Sequence, residues 1–249
     1  MSNLLALTGM VLSAIPIGDY DKRVVILTKE RGKITAFAKG ARRQNSSLLA
    51  AVNPFVFGTF SFYVGRTSYT LVRAEVRNYF QTLVQDFEGV YYGTYFMEFA
   101  DYYARENNDD AELLKLLYIS LRALTNPSLN QELVRYTYEL KAMMQNGEYP
   151  NVFYCQECRK SEHLSVFVPS RDGLLCADCI GEDKQNLSLR EATVYTLQYV
   201  ISTPLDKLYT FTVSPEVLRE FKAVVGCIRR KYIEKEFKSL KILESILNY

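Results

Sequence analysis

The amino-terminal fold is decided by Arg23-Val-Val-Ile-Leu27, the turn Glu30-Arg31-Gly32 and the run Lys33-Ile-Thr-Ala-Phe-Ala38. β-Branched and aliphatic residues dominate both runs, and a glycine lies in the turn between them, so the segment predicts two strands. Similar runs lie on either side of it, at 9–15, 55–64 and 68–79. Five short antiparallel strands predict a small barrel of the OB-fold type, which often binds nucleic acids, although an SH3-like barrel fits nearly as well.

A helical period replaces the strand pattern from about Leu83. Apolar residues then recur every three or four positions as far as Tyr102, which predicts one face of a helix. A second helix is predicted at 111–124, and a third begins at the capping box Ser128-Leu-Asn-Gln131 and ends by Gly147. Tyrosines on these periods are predicted to belong to the core rather than to stack on bases.

Further helix signals occur in the last quarter of the chain. Ser188-Leu-Arg-Glu191 is another capping box, and the helix that it opens is expected to end at Pro204. Ser214-Pro215-Glu216 combines an N-cap serine, a proline at the first helical position and an acid in the first turn. A final helix is predicted at 240–247.

Four cysteines form two pairs, Cys155-Gln-Glu-Cys158 and Cys176-Ala-Asp-Cys179, with seventeen residues between the pairs. Each C-x-x-C turn can bring two thiolates to one ion, so this spacing predicts a single Zn²⁺ in a tetrahedral four-thiolate site. Four thiolates leave no position for water or substrate, and the ion should therefore be structural. The alternatives are two disulfides, which a reducing compartment disfavours, and a pair of redox motifs.

The insert that holds the cysteines resembles a small zinc ribbon, because Leu164–Val168 alternates like a strand. The predicted fold class is therefore α+β and multidomain. An OB-fold barrel at 1–80 precedes a helical domain at 81–150 and 185–249, which carries the zinc module at 151–184.

Charge is distributed unevenly along the chain. Residues 1–80 hold eleven Lys and Arg against four Asp and Glu, a balance of +7, whereas the whole chain has a formal charge of +2. A basic barrel on a mildly acidic body favours a polyanion as the partner of the barrel. The alternative is a solvated basic face that binds nothing.

The sequence contains no convincing catalytic constellation. His163 is the one histidine, and it is expected in an exposed loop; Cys227 is expected to be a buried free thiol. We therefore expect a protein that is not an enzyme. The apolar stretch at 4–17 lacks a preceding basic residue, and no run approaches the roughly 18 apolar residues of a membrane span, so we expect a cytoplasmic protein.

Several segments resemble the bacterial RecO family in order and spacing. They include Leu27-Thr-Lys-Glu-Arg-Gly-Lys33, Ala38-Lys-Gly-Ala-Arg-Arg43 and Arg135-Tyr-Thr-Tyr-Glu-Leu140, the last followed by Gly147, Pro150 and the two cysteine pairs. The most specific parts are Leu27–Arg43 and Glu139–Cys158. The resemblance covers almost the whole chain and is weakest after Leu187.

This resemblance implies a DNA repair and homologous-recombination mediator associated with the bacterial nucleoid. Such proteins bind single- and double-stranded DNA without sequence preference and anneal complementary strands. The implied partners are RecR, the acidic tail of single-stranded-DNA-binding protein on the helical body and, indirectly, RecA. The alternative is a zinc-stabilised protein-interaction adaptor whose basic barrel is incidental.

Combined with the basic charge of the barrel, the resemblance favours a set of DNA contacts around the third predicted strand. The predicted contacts are Lys39, Arg42 and Arg43 in the loop after that strand, with Lys22, Arg23 and Lys33 as outer contributors. Tyr20 and Phe37 are candidates for stacking on bases, although a core position is expected for Phe37. Binding through phosphates should be independent of sequence and sensitive to salt.

Overall fold

The structure, a computed structural model, describes residues 4–66, 68–180 and 186–247. Its first five strands are β1 (Leu4–Ile17), β2 (Asp21–Thr28), β3 (Gly32–Ala38), β4 (Phe57–Val64) and β5 (Tyr69–Asn78). They form a closed barrel in the order β1-β2-β3-β5-β4, in which β3 and β5 are parallel and the other pairs are antiparallel. The prediction of a five-stranded OB-fold barrel is confirmed.

Burial alternates along β3, as the two-residue period of a strand requires. Ile34, Ala36 and Ala38 are buried in the barrel, where they pack with residues of the β3–β4 connection such as Val52. Phe37 lies on the opposite face and is 37% exposed, so the core position expected for it is wrong.

The described residues also form helices and a second sheet. The helices are α1 (Gln81–Gln85), α2 (Phe87–Tyr103), α3 (Ala111–Leu124), α4 (Gln131–Gln145), α5 (Glu191–Ser202), α6 (Pro215–Tyr232) and α7 (Lys238–Leu247). The strands β6 (Asn151–Cys155), β7 (Leu164–Val168), β8 (Gly173–Cys176) and β9 (Leu187–Ser188) form a four-stranded sheet in the order β6-β8-β7-β9. Within this described part, no helix has the length and apolar character to cross a membrane.

The predicted helix starts are partly corrected. The first predicted helix is two helices, because Asp86 adopts an extended conformation between α1 and α2. The cap of α4 is Asn130 and not Ser128. The side chain of Asn130 accepts a hydrogen bond from the backbone N of Leu133. Ser188 cannot cap α5 as expected because it pairs with Val166 in the sheet.

Other helix predictions are confirmed. The second predicted helix has the bounds of α3. Ser214 caps α6, and its hydroxyl oxygen accepts a hydrogen bond of 3.4 Å from the backbone N of Val217. Pro215 occupies the start of that helix, as its fixed φ and missing N–H favour.

The chain divides into two compact units. The first comprises the residues up to Thr125 together with those from Phe237 onward, and the second comprises Asn126–Glu236. The barrel thus shares a unit with α1, α2, α3 and α7, and the four-stranded sheet shares one with α4, α5 and α6. The domain boundaries expected from the sequence stay predictions, and residues 1–3, 67, 181–185 and 248–249 of those domains lie outside the described residues.

In the first unit, Phe237 packs α7 against α2. Its ring centroid lies 5.6 Å from that of Tyr95 and 5.3 Å from that of Phe99. The carboxylate of Glu98 accepts a 3.0 Å hydrogen bond from the backbone N of Ser239, at the start of α7. These contacts confirm that helical aromatic residues such as Tyr95 belong to the core.

In the second unit, α4 carries charged side chains in a buried environment. Arg135 Nε donates to Glu139 Oε1 at 2.9 Å, and Arg229 Nε of α6 lies 3.8 Å from Glu139 Oε2. Lys141 Nζ donates to the carbonyl oxygens of Val200, Ile201 and Thr203 at 3.1, 2.9 and 2.7 Å. The last carbonyl groups of a helix have no hydrogen-bond donor within the helix. The Lys141 ammonium supplies donors to these groups of α5 and thereby connects the end of α5 to α4.

We expect Lys141→Met to lower the free energy of unfolding by about 2–3 kcal/mol, because it leaves buried carbonyl oxygens without their donor. Urea unfolding of the full chain, followed by circular dichroism, measures the change. Lys207→Met removes an exposed ammonium from the same unit and should change stability by less than about 0.5 kcal/mol. Equal stability of the two variants would contradict the role given to Lys141.

Candidate metal centre and nucleic-acid interface

The four cysteines of the two C-x-x-C turns lie together in space. The Sγ atoms of Cys155, Cys158, Cys176 and Cys179 all lie within 4.8 Å of one another. A tetrahedron with metal–sulfur bonds of about 2.3 Å has edges of about 3.8 Å, and the Cys158–Cys176 separation of 3.6 Å is close to that value. The structure therefore brings together all four predicted ligands in an arrangement that can hold a metal ion.

Strand ends and tight turns position these cysteines. Cys155 ends β6, and its carbonyl oxygen accepts a 3.0 Å hydrogen bond from the backbone N of Arg159, which has a left-handed φ of 64°. Gln156 N donates to Leu174 O at 2.9 Å, which holds the first turn beside β8. Cys176 ends β8 and thus starts the second turn close to the first.

The surroundings of the thiols favour a cation at their centre. Burial opposes ionisation of Cys155, but hydrogen bonds from the backbone N–H groups of Cys158, Cys176 and Glu157 lower its pKa to about 6. Hydrogen bonding with the thiols of Cys176 and Cys158 raises the pKa of Cys179 to about 12. Four clustered thiols cannot all ionise without a positive charge between them, and a four-sulfur donor set suits Zn²⁺ or an iron–sulfur centre.

The segment that carries the cysteines is fastened to α5 and α6 within the second unit. Gln198 of α5 donates from Nε2 to Val152 O at 2.8 Å. At the end of α6, the hydroxyl of Tyr232 donates to Asp172, and Lys231 Nζ lies 3.1 Å from Asp172 Oδ1. Burial, together with the hydrogen bond to Asp172, raises the pKa of Tyr232 to about 12, so this tyrosine remains a donor at neutral pH.

On the barrel, the loop that follows β3 packs against the β1–β2 turn. Arg42 N donates to Tyr20 O at 2.8 Å, and Arg42 Nη1 donates to Gly18 O at 3.0 Å. Lys39 and Arg43 of the same loop are exposed. Arg42 thus holds the loop in place, and Lys39 and Arg43 present their charges to solvent.

Tyr20 is a fixed and accessible aromatic ring at this position. It is 53% exposed, and the guanidinium carbon of Arg43 lies 5.1 Å from its ring centroid. Gly40, with a left-handed φ of 65°, donates from its backbone N to Asp21 Oδ1 at 2.7 Å. These contacts place an aromatic ring beside a cation on a hydrogen-bonded loop.

Strand register extends this surface across the barrel. Ile15 of β1 is opposite Arg23 of β2, and Arg23 is opposite Phe37 of β3. All three are exposed on the outer face. Ile15 was not predicted from the sequence as part of this surface. Ile15 and Arg23 lie equally far from the β1–β2 turn, so the symmetry of a hairpin and the two-residue period of a strand could have placed them side by side.

Two of the predicted basic residues are otherwise engaged. Lys33 Nζ donates to the carbonyl oxygen of Asp101 at 2.7 Å and lies 3.1 Å from its carboxylate, at the end of β3 remote from Lys39. Lys22 Nζ donates to Asn53 Oδ1 at 2.9 Å, and burial together with the charge of Arg42 lowers its pKa. Lys22 thus lies close enough to Arg42 to feel its charge, and Arg23 is opposite Phe37, just before the loop of Lys39, Arg42 and Arg43. Lys33 lies apart from them, at the other end of β3.

Comparisons with known proteins agree with this architecture. The family model described as recombination protein O N terminal matches residues 1–80, and that described as recombination protein O C terminal matches residues 84–241. The DNA repair protein RecO of Alkaliphilus metalliredigens (strain QYMF) is 29% identical over 98% of this chain and 100% of its own length. The DNA repair protein RecO of Acetivibrio thermocellus is 27% identical over 98% of this chain and 98% of its own length. That of Clostridium perfringens (strain 13 / Type A) is 29% identical over 96% of this chain and 96% of its own length.

We expect Cys158→Ser to lose the bound metal, because it removes one of four ligands. A ligand held at about 100 times its Kd contributes about 2.7 kcal/mol, so the free energy of unfolding should fall by at least that amount. Elemental mass spectrometry of dialysed protein and thermal unfolding measure the two effects. Cys227→Ser, outside the cluster, should retain both metal and stability; full metal content in Cys158→Ser would contradict the assignment.

Proposed function

This chain belongs to the RecO family of DNA repair proteins, and we propose from this premise that it is a homologous-recombination mediator. It binds single- and double-stranded DNA without sequence preference and anneals complementary strands. The observation that carries the proposal is one exposed surface of the barrel on which aromatic and basic side chains converge. We call this the barrel surface and define it by Tyr20, Arg23, Phe37, Lys39 and Arg43.

Electrostatic attraction is the first component of DNA binding by the barrel surface. The barrel region has a charge of +7, and Arg23, Lys39 and Arg43 add exposed cations that can contact phosphates. Such contacts release counterions from the DNA, so affinity falls as salt increases and carries no sequence information. Arg42 acts as a positioning residue, because its guanidinium is bonded to Gly18 O.

Stacking is the second component. Oligonucleotides bind OB-folds on the face of strands 2 and 3 and on the β1–β2 loop, where Phe37 and Tyr20 lie in this barrel. Every base has a π-face, so stacking on aromatic rings is tolerant of sequence. Because contacts to phosphates and base faces leave the pairing edges free, a second strand can pair with the bound one.

The four clustered cysteines would hold a metal ion that supports the second unit and takes no part in DNA binding. We propose one Zn²⁺ held by Cys155, Cys158, Cys176 and Cys179, which supplies a charge centre for four thiolates and orders the segment around them. With its coordination filled by sulfur, the ion binds neither water nor DNA. Family membership also supports RecR, single-stranded-DNA-binding protein and, indirectly, RecA as partners at the nucleoid.

We expect the double change Lys39→Ala and Arg43→Ala to weaken binding to fluorescent oligo-dT and to flatten its salt dependence. Two lost phosphate contacts should reduce the slope of log K against log salt by about 1.4 on a single strand. Fluorescence anisotropy at NaCl concentrations from about 50 to about 300 mM measures this slope. The double change Lys115→Ala and Lys207→Ala removes the same charge from other exposed positions; an identical slope for both doubles would contradict the barrel surface.

We expect the double change Tyr20→Ala and Phe37→Ala to discriminate between single strands and duplex. Loss of stacking should weaken binding to oligo-dT at least about tenfold, whereas a duplex, whose bases already stack on one another, should be affected less than about twofold. Anisotropy with both DNA forms at one salt concentration gives the comparison.

The matched control for the stacking prediction is Tyr149→Ala with Tyr154→Ala, which removes two exposed rings from the second unit. Equal losses on single strands and duplex for Tyr20→Ala and Phe37→Ala would show that the two rings do not stack on bases. If the chain is instead an adaptor with an incidental barrel, the two double variants of the barrel surface should bind single strands and duplex as the two control variants do.

A further inference from the structure

An open cavity of about 660 Å³ lies along α5 in the second unit. Its walls include Tyr195 and Tyr199 of α5, Phe211 of the segment before α6, and the carboxylate-bearing Glu191. A second cavity of about 620 Å³ shares Glu191 and Tyr195 and adds Glu162. We call the two cavities together the α5 groove. No step of the proposed DNA binding uses it.

The aromatic rings of the α5 groove are held in a fixed arrangement. The ring centroids of Tyr199 and Phe211 lie 5.0 Å apart, and those of Tyr195 and Tyr199 lie 6.2 Å apart. Tyr199 donates from its hydroxyl to Lys207 O at 2.8 Å, which locks the ring between α5 and the following segment. Tyr195 is 66% exposed, so its face is open to a ligand. A groove with preset rings loses little conformational entropy on binding.

The acidic side chains that line the groove favour a ligand with positive charge. The described residues that line the two cavities include Glu162 and Glu191 but neither Lys nor Arg. Aromatic faces attract cations through the ring quadrupole, and a carboxylate adds a charge-assisted hydrogen bond. A nucleic acid or an acidic peptide would instead meet like charge.

We propose that the α5 groove binds a basic segment of a partner protein. A Lys or Arg side chain lies against the rings of Tyr195 and Phe211 and pairs with the carboxylate of Glu191, and an apolar neighbour of that side chain fills the cavity beside Val217. The proposal is independent of the barrel surface, because every residue that it uses lies in the second unit.

The test compares two fluorescein-labelled peptides of equal length, one combining lysine, arginine and leucine and the other with glutamate in place of each basic residue. Anisotropy at roughly physiological ionic strength, where exposed charges more than about 8 Å apart are screened, measures their binding to the full chain. We expect the basic peptide to bind and the glutamate peptide not to bind. Tyr195→Ala and Glu191→Gln should each weaken binding of the basic peptide by about two- to fivefold, which is the range for single cation–π contacts and ion pairs at exposed positions.

Matched controls separate the groove from general acidity of the surface. Tyr154→Ala removes an exposed ring and Glu88→Gln an exposed carboxylate elsewhere, and neither should change peptide binding. All four variants should keep oligo-dT binding, so a failure here is distinct from a failure of the barrel surface. Equal binding of both peptides, or no effect of Tyr195→Ala and Glu191→Gln, would overturn the proposal. If sedimentation shows that the chain is a dimer and that Tyr195→Ala dissociates this dimer, the groove binds a second copy of the chain, and this result too would overturn the proposal.

Discussion

Closure of the barrel depends on β1 pairing with two strands at once, and this pairing depends on a glycine at position 9. Gly9 lies opposite Thr28 of β2 on one side and Gly58 of β4 on the other. A Cβ atom at position 9 would lie 2.4 Å from the carbonyl oxygen of Leu27, far closer than any side chain tolerates. Because that atom is absent, β2 can approach β1 closely at Gly9. β1 pairs with β4 through Leu4–Met10 and with β2 through Gly9–Ile17, so the two ranges overlap at this glycine. The inner and outer faces of all five strands follow from this register.

The outer surface that results is set by pairing and not by proximity in sequence. Register places Ile15, Arg23 and Phe37 side by side, and the β1–β2 turn adds Tyr20 beside Arg43 through the bonds made by Arg42. A barrel of different strand order would separate these residues. The proposed DNA binding therefore rests on the same closure as the hydrophobic core, because both use the two-residue alternation of strands.

Local patterns in the sequence predict much of this architecture. The five strands, the helix at 111–124 and the four-cysteine cluster follow from alternation, period and spacing, which are properties of short segments. Two of the errors arise where distant partners decide. Ser188 pairs with Val166 and cannot cap α5, and Phe37 faces outward because its strand neighbours define the inside. The contacts of Lys141 with carbonyls about sixty residues away have no local signal at all.

The two components of the barrel surface differ in their response to salt, and this difference determines how it would select DNA. Phosphate contacts weaken as counterions accumulate, whereas stacking on Tyr20 and Phe37 involves no release of ions. Duplex DNA can use only the first component, since its bases already stack on one another. Rising salt lowers the affinity for both forms, but the stacking contribution to single-strand binding remains, so single strands should still be bound at a salt concentration at which the duplex has dissociated. A surface made of cations alone would lack this stacking contribution, so the aromatic rings give the barrel a preference for single strands that salt does not remove.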